Sequence, residues 1–132
     1  MKITADTNVL VRAVVRDDPK QTVAAVALLR DAELIALPLP CLCELAWVLR
    51  SVYGFDKSEI ALAIEALLQA SNIAVDALGA EAGLQVLRAG GDFADGAIAY
   101  GGRWMGGKTF VSFDKKAVAL ILKQGHAARL LE

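Results

Sequence analysis

Several acidic residues stand where a charge is hard to explain. Asp6 interrupts "KITADTNVLVRAVV" just after a short β-prone run. Glu44 is the only charged side chain in "LPLPCLCELAWVL". Asp92 and Asp95 share "GGDFADGAIAYGG", and Asp114 follows "FVSF". An aspartate after a strand or a glycine pair can cap the next helix or favour its first turn, and that reading is open for Asp6, Asp92, Asp95 and Asp114 taken singly. Glu44 is different. On a helical wheel Leu42, Leu45, Ala46 and Leu49 make one face, and Cys41, Trp47 and Val48 flank the acid on the other. A helix apolar nearly all round is expected to be buried, and a buried unpaired carboxylate costs several kcal/mol. Glu44 is therefore expected to hold a cation, a metal or a proton, with Arg12 or Arg50 as the ordinary alternative partner.

If Asp6, Glu44, Asp95 and Asp114 meet at one site, they need a counterion. Two carboxylates about 4 Å apart repel by roughly 4 kcal/mol at an effective dielectric of about 20. Hard oxygen donors with no His or Cys beside them favour Mg2+ or Mn2+ over zinc. Such a cation suits phosphoryl chemistry, because it orients a water, lowers its pKa and stabilises a leaving oxygen. The one histidine, His126, follows a glycine near the C-terminus and reads as a surface residue, so no histidine general base is expected.

The elements that must position these acids alternate. Strands are expected at residues 2–5, 33–38, 72–76 and 108–113, with "ARLLE" as a last one. Helices are expected at 8–16, 19–32, 40–52, 57–70, 78–89, 93–105 and 115–124, with Asp18 and Pro19 starting the second and Gly125 ending the last. Short apolar strands alternating with helices predict an α/β fold, a three-layer α/β/α sandwich with a mainly parallel central sheet. Ligands of such sheets bind beyond the carboxyl ends of the strands, where Asp6 and Asp114 fall. No linker, repeat or low-complexity tract divides the chain, so residues 1–132 are expected to form a single domain.

With 56% apolar and 22% charged residues the core is rich and the polar coat thin. A net charge of -1 excludes a nucleic-acid binder that relies on bulk charge and leaves a local basic patch or a metal to make such contacts. Cys41 and Cys43 lack the partners of a zinc site and read as buried thiols in a reducing, cytoplasmic setting. There is no leader-like N-terminal pattern and no long uncharged run, so neither export nor a membrane span is expected.

"ADTNVLVRAVV", a Glu in an apolar helix, "DFADGAIA" and "FVSFDKKA", in this order and approximate spacing, resemble the PIN domain family. The short length and the "PKQ" helix look most like the VapC-type toxins of bacterial toxin–antitoxin pairs. The resemblance spans nearly the whole chain and implies an Mg2+- or Mn2+-dependent endoribonuclease that leaves 5′-phosphate and 3′-hydroxyl ends. The family's acid quartet falls on Asp6, Glu44, Asp95 and Asp114, with Asp92 as an additional acid. Asn8 and Ser112 match supporting polar positions, as does Thr7 more weakly; the family often has Thr where Ser112 stands. The resemblance also implies a homodimer held inactive by a cognate VapB-like antitoxin.

Arg12, Arg16, Arg50, Arg103, Lys108, Lys115 and Lys116 are candidates for RNA phosphate contacts, Lys115 and Lys116 because they directly follow Asp114. Trp47 and Trp104 could stack on bases, but inside apolar helical runs they are expected in the core or at a dimer contact. Two other classes remain open. A haloacid-dehalogenase-like phosphatase also uses an Asp after its first strand, yet wants a second acid where Asn8 stands. A receiver-like or other acidic-pocket binding domain would be no enzyme, and "TADTN" lacks the acid pair a receiver carries.

Overall fold

Local signals start and stop most elements. The computed structural model describes Met1–Glu132. The chain divides into two compact units, Met1–Asp76 and Ala77–Glu132. The first contains β1 (Lys2–Thr4), α1 (Thr7–Val14), α2 (Pro19–Asp31), β2 (Leu34–Leu37), α3 (Leu39–Ser51), α4 (Lys57–Leu68) and β3 (Ile73–Val75). Asp18 caps α2 through Gln21 N–H, and Pro19 occupies a first-turn position that needs no amide. Asp56 and Glu59 close a reciprocal capping box at α4. The Ser58 hydroxyl and the Glu59 amide hold the Asp56 carboxyl below its ordinary value, so this cap supports α4 at neutral pH and is lost in acid as Asp56 protonates.

The strands of this unit pair in parallel in the order β1–β2–β3. The register aligns Ile3 with Ile35 and Ile35 with Ile73, a row of β-branched side chains across the sheet. Leu10 of α1, Ile35 and Leu37 of β2, Leu42, Leu45 and Leu49 of α3, and Ile60 and Ile64 of α4 are fully buried and form the core.

The second unit contains α5 (Ala77–Arg88), α6 (Phe93–Trp104), β4 (Thr109–Ser112), α7 (Lys115–Lys123) and β5 (Ala127–Leu130). The strands β4 and β5 are again parallel, joined through α7. Val86, Ala99 and Ile121 are its buried centre, with Phe110, Leu120 and Ala128 against them. Gly83 and Gly96 let α5 and α6 approach closely, and the buried Phe93 ring lies over Gly83. Gly125, at φ +89°, ends α7 in a left-handed conformation, and His126 N–H returns to the Ile121 carbonyl at 3.2 Å.

The fold is mixed α/β, with parallel strands and flanking helices, as the alternation of elements predicts. Backbone hydrogen bonds group the five strands into two ladders, β1–β2–β3 and β4–β5. Helix α3 starts at Leu39, one residue before the expected Pro40, because a proline fits the first turn. No helix is long and apolar enough to cross a membrane.

Three expectations about burial need correction. Trp47 and Trp104 are 64% and 74% exposed, so neither belongs to the core. Cys41 and Cys43 are half-buried free thiols rather than buried ones. Burial still pushes the Cys43 thiol up, which keeps it protonated and unreactive. Glu44 is exposed. The buried face of α3 is Leu42, Leu45, Ala46 and Leu49 alone, and its other side, with Trp47 and Arg50, is open to solvent. Glu44 therefore bears no large desolvation cost, and its role rests on its neighbours instead.

Candidate metal centre

In the first unit the end of β1 and the start of α1 bring Asp6, Thr7 and Asn8 to one edge of the sheet, and α3 brings Glu44 to the same place. Asp6 is the N-cap of α1, with extended backbone, and its Oδ1 accepts from the Thr7 amide at 2.8 Å. Thr7 is 5% exposed, and its hydroxyl donates to Glu44 Oε2 at 3.2 Å. One residue thus binds both acids, through its backbone to Asp6 and through its side chain to Glu44.

These groups open into a cavity of about 250 Å³ lined by Asp6, Thr7, Asn8, Arg12, Glu44 and Tyr53, with Val11 and Val48 behind them. Arg12 Nη1 is paired with Asp17 at 2.8 Å, and Arg50 Nη1 donates to the Phe55 carbonyl at 3.1 Å. Neither arginine is the partner of Glu44 that the sequence left open. Tyr53 is a lining residue that the sequence did not single out. It reaches the cavity from the turn after α3, and nothing local to "SVYGF" signals that.

The second unit carries the other candidates. Asp92 occupies the N-cap position of α6, but its side chain makes no capping hydrogen bond, contrary to the expectation that it caps this helix. Asp95 lies in the first turn of α6, half-buried. Asp114 is a full N-cap of α7, accepting through Oδ1 from Lys116 N–H at 2.9 Å and Ala117 N–H at 3.1 Å. Ser112 Oγ accepts from the Asp114 amide at 3.0 Å, so the hydroxyl fixes the turn in which that acid sits. Lys115 and Lys116 are exposed in the first turn of α7. The Lys116 ammonium lies 3.5 Å from the point where a Cβ on Gly90 would stand, which lays it over the turn that leads to Asp92.

The donors around the first cavity are all oxygen, apart from the side-chain nitrogens of Asn8 and Arg12. Nowhere in the chain do three or more His, Cys, Asp or Glu side chains form a group that could hold a metal ion. Two carboxylates with one wet face still fit Mg2+ or Mn2+, because Mg2+ keeps several waters and is commonly held by one or two carboxylates together with substrate phosphates. They fit zinc poorly, since the cavity offers neither His nor Cys.

No curated protein sequence matches the chain. Residues 3–120 match the PIN domain, a span that includes Asp6, Glu44, Asp92, Asp95 and Asp114.

Proposed function

Because the chain belongs to the PIN domain family, we propose that it is an Mg2+- or Mn2+-dependent endoribonuclease, the toxin of a VapC-type toxin–antitoxin pair. The observation that carries this reading is the Thr7 junction, which holds Asp6 and Glu44 beside one open cavity. A bound divalent ion there supplies a Lewis acid and a water of lowered pKa for attack on a phosphodiester. Asp6 and Glu44 are its candidate ligands. Asp95 and Asp114 of the second unit, with Asp92 as an accessory acid, are the further acids that the family resemblance implies.

The protein's own groups do the remaining work. Thr7 fixes both carboxylates, and Asn8 offers an amide at the cavity mouth. Arg12 lines the first cavity and Lys115 and Lys116 directly follow Asp114, and in this reading the three serve phosphate oxygens. Trp47, exposed three residues along α3 from Glu44, presents a ring to a single-stranded base. In this reading the antitoxin partner is proposed to lie on an apolar groove of about 360 Å³, lined by Leu10, Ala13 and Val14 of α1 and Ala63, Ala66 and Leu67 of α4. The second copy in a homodimer rests on the toxin reading alone.

The test is incubation of partner-free protein with total RNA and Mg2+ or Mn2+, with and without EDTA. Cleavage that EDTA abolishes and that leaves 5′-phosphate ends is expected. Metal at about a hundred times its dissociation constant should also stabilise the fold by about 2.7 kcal/mol, seen as a rise of several degrees in Tm. RNA left intact together with a Tm indifferent to metal would sink the proposal. A covalent phosphoenzyme would move the reading to the phosphatase alternative.

A further inference from the structure

Asp6 is held from both sides by one helix. On its C-terminal side, Thr7 Oγ1 donates to Glu44 Oε2 at 3.2 Å. On its N-terminal side, Cys41 Sγ donates to the Ala5 carbonyl at 3.3 Å. Cys41 and Glu44 are three residues apart, neighbours along α3. Ala5 itself is 2% exposed, and its amide donates to the Ala36 carbonyl at 3.3 Å, so the sheet holds this residue from the opposite direction. The residues on either side of Asp6, Ala5 through its carbonyl and Thr7 through its hydroxyl, are therefore tied to two side chains one turn apart on the helix that carries the other acid.

We infer that Cys41 is a positioning residue of the proposed nuclease site: its thiol sets where Asp6 leaves β1 relative to Glu44. The inference rests on the nuclease reading for its effect on metal and RNA, and on the hydrogen bond alone for its effect on the backbone. A thiol is a weak donor, so the contact contributes little to global stability. Its value is geometric, because a displacement of about 1 Å at a reacting centre can cost about a hundredfold in rate. Serine keeps a donor at this position, whereas alanine removes it and leaves the Ala5 carbonyl without this partner. Cys43 is a control on the same helix, a thiol whose removal leaves the Cys41–Ala5 bond intact.

The experiment compares Cys41→Ala, Cys41→Ser and Cys43→Ala with wild type by Mn2+ calorimetry, RNA cleavage, thermal unfolding and hydrogen exchange of the Thr7 amide. That amide reads the Asp6 corner directly, because it donates to Asp6 Oδ1. In Cys41→Ala we expect about a tenfold loss of Mn2+ affinity, the low end of what outer-shell partners of metal sites carry. A similar loss of cleavage and faster exchange at Thr7 should accompany it, with Tm within a few degrees of wild type. Cys41→Ser should recover most of each loss, and Cys43→Ala should show none. Wild-type exchange at Thr7 in Cys41→Ala, or a serine variant no better than the alanine one, overturns the positioning role. If wild type neither binds Mn2+ nor cuts RNA, the nuclease reading fails by itself, and Thr7 exchange still decides whether Cys41 holds the Asp6 corner.

Discussion

Asp6→Asn should lower kcat/KM for RNA cleavage by about a thousandfold or more, a loss of about 4 kcal/mol in transition-state stabilisation. The substitution separates the two roles the residue can have. As a helix cap Asp6 needs only an oxygen to accept the Thr7 amide, and asparagine supplies one and caps about equally well. As a metal ligand it needs the charge, which asparagine lacks. Tm without metal should therefore hold, while the metal-induced rise in Tm and the cleavage both disappear. Glu44→Gln should behave alike, since a glutamine carbonyl can still accept from the Thr7 hydroxyl. A variant Asp6→Asn that cuts RNA at the wild-type rate would reduce Asp6 to a cap and remove it from the site.

The second large effect is on folding. Gly96→Ala should destabilise the protein by at least about 3 kcal/mol, the upper part of the usual range for overpacking. The added Cβ would strike the Ala82 carbonyl oxygen and lie 2.8 Å from its carbon and 2.9 Å from Gly83 Cα. All three are backbone atoms of α5 and cannot rotate away, so the two helices have to separate. Gly101 provides the contrast from the same helix. A Cβ there meets nothing within 4 Å, and Gly101→Ala should stabilise by about 0.5–1 kcal/mol through the lost backbone freedom of glycine. Denaturant unfolding of the two variants measures both. Equal stabilities would mean that α5 and α6 do not touch at Gly96 as described.

What the sequence reveals and what it hides divide along a physical line. Helix ends carry their causes locally: Asp18 with Pro19 and Gly125 each act within a few residues, and each acts where its type predicts. Parallel strands between helices follow from an equally local alternation. The burial of α3 does not. "CLCELAWVL" is apolar almost throughout, but which side is covered depends on α1 and α4, and exposed apolar residues are common on protein surfaces. That is why the pattern places Glu44 inside although it stands outside. The acids themselves are visible as anomalies of type and place, whereas the bonds that organise two of them are not. Thr7 reaches Glu44 across 37 positions and Cys41 reaches Ala5 across 36, with no periodicity to announce either. Cys41 in particular reads as an inert thiol, because composition sees a small apolar residue and not the carbonyl it faces.

The Thr7 junction has a consequence for which ion the protein prefers. Its amide occupies Asp6 Oδ1 and its hydroxyl occupies Glu44 Oε2, so each carboxylate has one oxygen engaged and the other, Oδ2 or Oε1, to offer. A carboxylate presented in this way binds through a single atom more readily than through two. Ca2+ takes six to eight oxygens and often grips a carboxylate by both of its oxygens, whereas Mg2+ wants near-ideal octahedral geometry with single oxygens and waters. Competition of Ca2+ against Mn2+ in a calorimetric titration should find calcium the weaker, and equal affinity would mean that the Thr7 bonds give way to the ion. A buried threonine with no charge of its own then works as a filter on ionic radius, by deciding how many teeth its neighbours can show.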